Sequence, residues 1–248
     1  MRNLLIPISV GFLSLSFTVV PAATAEVSTN TEGYFSPAAV NKEITSPEIE
    51  AEAHTIYNRC GLEAYGLSSV AFSYAYEGYE KLVAENKIPR SGMITICDFS
   101  QGSGSKRLYI IDLENNKLVR NTWVAHGRNS GSVFATRFSN QPESLQSSLG
   151  FYVTRGTYIG KHGMSLKLDG LEPGINNNAM RRNIVVHGAA YVDPARARYG
   201  GGMGRSFGCP AVPQQESASI INTIKEGTCL FIYHPGVNYL HASKLLND

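Results

Sequence analysis

His187 closes the apolar, β-branched run Ile184-Val185-Val186, and Cys209 stands downstream in the Gly-bounded turn Arg205-Ser206-Phe207-Gly208-Cys209-Pro210. A free thiol has a pKa of about 8.5, so at neutral pH it attacks a carbonyl only when a base takes its proton. An imidazole emerging from a strand end can be that base if it reaches the proton at hydrogen-bond range. Gly208 permits backbone geometry that other residues resist, and the N–H groups of Gly208 and Cys209 can then donate to an oxyanion beside the sulfur. Pro210 stiffens the turn and pushes Cys209 toward extended geometry. Nucleophile, base and oxyanion donors are the parts of a thiol acyl-transfer site. The Gly188 carbonyl can orient the imidazole through its second nitrogen. Asp193 is a side-chain alternative, but Pro194 marks it as the start of a turn. A lone Gly-Cys-Pro, or a lone histidine ending a strand, is more often structural; their pairing carries the functional reading.

Other polar clusters surround this pair in the sequence. Arg128, Lys161 and Arg205, with His126, Ser139 and His162 nearby, suit a substrate that carries carboxylates. His126, His162, His187 and Cys209 are also potential zinc ligands. None of them shows the short paired spacing of zinc sites, and neither H-E-x-x-H nor C-x-x-C occurs. No metal or cofactor is expected.

The elements that must position these residues divide into a helical beginning and a β-rich remainder. Ser46-Pro47 opens a helix with Glu48, Glu50 and Glu52 in its first turns, and Gly61 and Gly66 break the chain after it. A second helix is expected over 68–86, where Phe72, Tyr76, Tyr79 and Val83 recur at helical spacing and read as a packing face. Strands are expected over 93–99, 108–113, 118–125, 150–155, 183–187 and 228–233, the second and third joined as a hairpin across Glu114-Asn115-Asn116-Lys117. Gly102-Ser103-Gly104-Ser105 reads as a mobile turn, and a short helix over 216–225 comes after the cysteine turn. The fold class is mainly β, a β-rich catalytic domain preceded by helices.

Leu4 to Val20 is apolar behind Arg2, and Ala23-Thr24-Ala25 offers a cleavage site, so residues 1–25 read as a secretory signal peptide. A polar linker over 26–46, a helical segment over 47–90 and a catalytic domain over 91–248 complete the expected division. The product is expected to be exported to the periplasm or cell wall, to lack a membrane span after cleavage, and to be monomeric. The net charge of +2 over 248 residues gives no bulk electrostatic basis for nucleic-acid binding. Of the four cysteines, Cys97 and Cys229 lie in apolar runs and read as buried small hydrophobes. At most one pair of Cys60, Cys97 and Cys229 can form a disulfide if Cys209 stays free.

In these segments the chain resembles the catalytic domain of the murein L,D-transpeptidases, in the branch with a Ser-aromatic-Gly-Cys-Pro signature. The resemblance runs, in order, through Asp98-Phe99-Ser100, Val124 to Gly131, Phe138-Ser139-Asn140 and Ser147-Ser148-Leu149-Gly150. It continues through Gly160-Lys161-His162-Gly163, Asp169-Gly170-Leu171-Glu172, Val186-His187-Gly188-Ala189 and Ser206 to Ala211. It implies a β-sandwich-like transpeptidase fold and action on peptidoglycan stem peptides. Cys209 would be the nucleophile, His187 its base, and a carbonyl near Gly188 or Ser206 the ring orienter. It further implies release of the terminal D-residue, a thioester intermediate, cross-link formation and sensitivity to carbapenems. Trimming of the stem by water, or binding of the wall without catalysis, are the alternatives. Two positions depart from the wider superfamily's Ser-His-Gly-Cys-x-Arg pattern: Phe207 replaces its histidine, and Ala211 stands where its arginine would be. Arg205 or Arg128 is the expected replacement for that arginine.

Overall fold

A computed structural model describes residues 46–247; the signal-peptide reading and nearly all of the linker lie outside them. Helix α1 (Pro47–Arg59) starts at Pro47, whose missing N–H costs nothing in a first turn, and carries Glu48 and Glu50 there. Gly61 and Gly66, at φ +61° and +81°, bracket a short 3-10 turn over 62–65. Helix α2 (Ser69–Ala84) is capped by the Ser68 hydroxyl, which accepts from the Ala71 N–H. Phe72, Tyr76 and Tyr79 are buried, as a packing face requires.

Eight strands come next: β1 (Met93–Asp98), β2 (Leu108–Asp112), β3 (Lys117–Thr122), β4 (Gly150–Gly160), β5 (Gly163–Gly170), β6 (Val185–Ala189), β7 (Ala211–Pro213) and β8 (Cys229–Tyr233). They form one mixed sheet in the order β3-β2-β1-β8-β4-β5-β6-β7. Helices α3 (Pro194–Arg198), α4 (Ser217–Ile224) and α5 (Val237–Ala242) lie in the connections and at the end. The mainly β class with N-terminal helices matches expectation, and the strands join in a single hydrogen-bonded order.

Three expectations change. The hairpin strand expected over 118–125 stops at Thr122, and Ala125 leaves it to bridge Ala211. Strands β5 and β7 were not expected; β5 hides its alternation behind Ser165 and Lys167, and β7 is three residues long. The Gly102–Ser105 turn is anchored: Ser103 is buried, its N–H donates to the Val133 carbonyl, and its hydroxyl accepts from the Met203 N–H.

The helices share one apolar core with the sheet. Helix α2 packs on β1 and β8, and its Gly78 lies so close to the Phe151 ring that a Cβ there would sit 2.1 Å from it. Phe151 in turn stacks on Phe231, ring centroids 4.2 Å apart. Cys60, Cys97 and Cys229 are buried free thiols. Under β1, the fully buried Arg107 donates to the Val124 and Gln101 carbonyls and to His126, with its guanidinium 4.5 Å from the Phe99 ring.

Candidate active site

β6 and β7 bring the sequence-predicted pair onto neighbouring strands. They run parallel with His187 opposite Ala211, and Cys209 precedes Ala211 by two residues. Side chains two apart share a face of an extended strand, so the strand period places the sulfur on the His187 side.

His187 is buried, and its Nδ1 lies 3.0 Å from the Gly188 carbonyl oxygen. A carbonyl only accepts, so Nδ1 carries the proton and Nε2 presents its lone pair. The His162 ring stacks on the imidazole at a centroid distance of 4.3 Å. Burial holds His187 below the usual imidazole pKa; His162 and Lys161 add to this, and the Gly188 hydrogen bond opposes it.

The cysteine turn is held from within. The Ser206 hydroxyl donates to the Cys209 carbonyl at 2.6 Å and accepts from the Gly208 N–H at 3.1 Å. Ser206 is itself fixed to the neighbouring segment, its N–H donating to the His126 carbonyl and its carbonyl accepting from the Arg128 N–H. Gly208 takes φ +125°, and a Cβ there would meet the Gln146 carbonyl oxygen at 2.8 Å, so both conformation and space select glycine. The expected pair of oxyanion donors is thereby reduced to one. The Gly208 N–H is spent on Ser206, while the Cys209 N–H makes no hydrogen bond among the described residues.

The sulfur is half-buried and lies 3.6 Å from the Asn183 carbonyl oxygen, its hydrogen-bond acceptor in this structure. Burial pushes the thiol above its usual range, against the Val185 N–H and the charges of Arg182 and Lys161, which pull it down. Thiol and imidazole therefore both rest neutral at pH 7.

Arg182 is the residue that sequence reading missed. Its Nη1 donates to the Ser139 carbonyl at 2.7 Å and to the Ser148 hydroxyl at 2.5 Å; its Nη2 donates to the Gln146 carbonyl at 2.6 Å and to the Ser144 hydroxyl at 3.1 Å. The same Nη2 lies 3.2 Å from the Cβ position of Gly208. This one guanidinium ties the 139–148 loop beneath the cysteine turn and sets a positive charge near the sulfur. Its partners lie 34 to 43 residues away. The only local signal was its place just before the strand that carries His187.

The other expected binding residues separate into groups. Lys161 and His162 sit at the β4–β5 turn, and His162 reaches His187. Arg128 and Arg205 line a cleft of about 410 Å³ together with Arg196 and Phe207. Ser139 uses its hydroxyl to accept from the Gln141 N–H and its carbonyl to hold Arg182. His126 does not belong with them. It is fully buried, with Arg107 Nη2 donating to its Nδ1 at 2.8 Å, and burial first and Arg107 second push its pKa down to about 4. It has no surface to offer a ligand. Asp193 caps α3 by accepting from the Ala195 N–H, so the turn reading holds and Gly188 alone orients the imidazole.

The sequence profile of the L,D-transpeptidase catalytic domain matches residues 63–233. No curated protein matches the chain significantly. Among solved structures, the fold is similar to an L,D-transpeptidase, LdtMt1, in complex with imipenem (11% identity, 57% of this chain and 59% of that one, TM-score 0.36). It is also similar to an L,D-transpeptidase from Mycobacterium smegmatis (10% identity, 58% and 59%, TM-score 0.36) and to one from Xylanimonas cellulosilytica (15% identity, 77% and 96%, TM-score 0.33). The chain thus spans 59% of the length of the first two.

Proposed function

Because the chain belongs to the L,D-transpeptidase catalytic-domain family, we propose that it is an exported cysteine acyltransferase that acts on peptidoglycan stem peptides through a Cys209 thioester. The observation that carries this reading is the Nδ1 contact of His187 with the Gly188 carbonyl, which leaves Nε2 free on the strand beside the cysteine turn. Export rests on the Leu4–Val20 run and Ala23-Thr24-Ala25.

In the first half-reaction His187 Nε2 takes the thiol proton as the sulfur attacks the carbonyl that joins the third stem residue to the terminal D-residue. A carbon–sulfur bond forms, and the Cys209 N–H donates to the oxyanion. Collapse breaks the carbon–nitrogen bond, and the imidazolium returns its proton to the departing amine. In the second half-reaction an amine from a neighbouring stem gives its proton to Nε2 and attacks the thioester. Collapse expels the sulfur, which recovers that proton, and leaves an amide cross-link. With both groups neutral at rest, the proton moves only once substrate excludes water from the pair, which keeps the thiolate from forming idly. Acylation of Cys209 by a carbapenem belongs to the same proposal.

The test is incubation with disaccharide-tetrapeptide and mass spectrometry of the products. The protein should release the terminal D-residue and form dimers. Cys209→Ala should abolish both, and His187→Ala should slow both by about 100-fold or more. Release without dimers would replace transpeptidation by trimming, and an unchanged substrate would leave a wall-binding role only.

A further inference from the structure

The cysteine turn has different neighbours on its two sides. Strand β7 takes β6, with His187, on one edge; on the other, Ala125 bridges Ala211 and Gly127 bridges Ser206. The second side opens into the cleft of about 410 Å³, where Arg128, Arg196 and Arg205 converge beside Phe207. Among the described residues none of the three guanidinium groups has a carboxylate partner. Arg205 Nη1 donates to the carbonyls of Gly131 (3.0 Å) and Arg128 (3.3 Å), and Arg196 Nε donates to the Gly202 carbonyl (3.2 Å). These bonds leave Nε and Nη2 of Arg205 and both terminal nitrogens of Arg196 available. The Arg128 guanidinium has only the Phe207 ring, 6.0 Å away, and that ring is 62% exposed. Three like charges gathered in one concavity repel each other unless an anion joins them, and forked guanidinium donors match carboxylates in pairs.

Proton traffic decides which part of a substrate lies there. The imidazole must reach both the departing and the incoming amine, so both belong on the His187 side of the sulfur. The acyl part stays attached through both half-reactions and needs a separate berth. We propose that this cleft is the acyl-donor subsite: Arg128, Arg196 and Arg205 bind free carboxylates of the donor stem while its chain packs on Phe207. The assignment rests on the acyl transfer by Cys209. It adds that the donor is selected as a polycarboxylate, so amidation of the stem would lower its value as a donor.

Binding is measured by calorimetry on Cys209→Ala, which cannot turn over, with stem tetrapeptide whose side carboxylates are free or amidated. The free form should bind at least tenfold more tightly. Arg128→Gln with Arg205→Gln should bring it down to the amidated level, and Arg→Lys at both positions should recover part of the loss. In the protein with Cys209 intact, the same glutamine pair should raise the donor KM and leave the split between dimer and hydrolysis unchanged. Equal affinity for both peptides, or a changed split with an unchanged donor KM, overturns the donor assignment while the transpeptidase reading stands. Failure to bind either peptide, together with no release of the D-residue by the intact enzyme, overturns both.

Discussion

Cys209 has its proton taken by one residue and its pKa moderated by another. Burial raises the thiol, and Arg182 is the nearest source of relief that a mutation can remove cleanly. A neighbouring cation typically shifts an ionisable group by about one unit or more. Arg182→Gln should therefore slow iodoacetamide alkylation of Cys209 at pH 7.5 by about tenfold, and Arg182→Lys should restore much of the rate because it keeps the charge. Equal rates in all three proteins would mean that Arg182 only ties the loop. The other thiols do not confuse the measurement, since Cys60, Cys97 and Cys229 are buried. At this scale the sequence was most legible where function depends on adjacent residues. Gly188 directly succeeds His187 and accepts from it; Gly208 precedes Cys209 and must be glycine. It was least legible for Arg182 and His126, whose roles come from partners far along the chain. His126 stands in a polar-looking run with Arg128, yet it points inward to Arg107.

Strands and helices were legible in proportion to how plainly their patterning states one buried face. β1, β6 and β8 are nearly continuous apolar runs, and their burial makes them so. β5 alternates with polar residues, and β7 is too short for a period to register. The joint between α2 and the sheet shows what patterning leaves out. Gly78 looks like a weak point in a helix, and helix propensity alone would favour alanine there by about 1 kcal/mol. Its Cβ would instead enter a ring already stacked on Phe231. Gly78→Ala should cost about 1–3 kcal/mol, as overpacking does, and lower the urea midpoint. A raised midpoint would show that α2 can step away from the sheet.

For the whole molecule, the buried histidines set the response to acid. Burial holds His126 and His234 at about 4, and His187 is shifted in the same direction. A base whose folded pKa lies below its unfolded value of about 6.5 binds more protons when unfolded. Its contribution is whole above about pH 6.5 and drains away as pH falls toward 4. Asp98 and Glu172 oppose this, because burial raises both carboxyls and their protonation favours the fold at low pH. His126 alone, fully buried beside Arg107, is worth about 3 kcal/mol over that window. The urea midpoint should fall between pH 6.5 and 4. A flat midpoint would mean that His126 charges without cost, and so that Arg107 is screened from it.

The bridge from Ala125 to Ala211 reaches beyond the reaction. β7 ends the sheet, and a bare edge strand is a template on which another chain can grow. At the opposite edge β3 carries Lys117 and Arg120, charges that discourage strand addition. β7 has no such charge and is shielded by the 125–127 segment, which the Ser206 turn holds in place. Loosening that turn would uncover an unpaired edge as well as displace the nucleophile, so damage to the active site would surface as self-association of the protein.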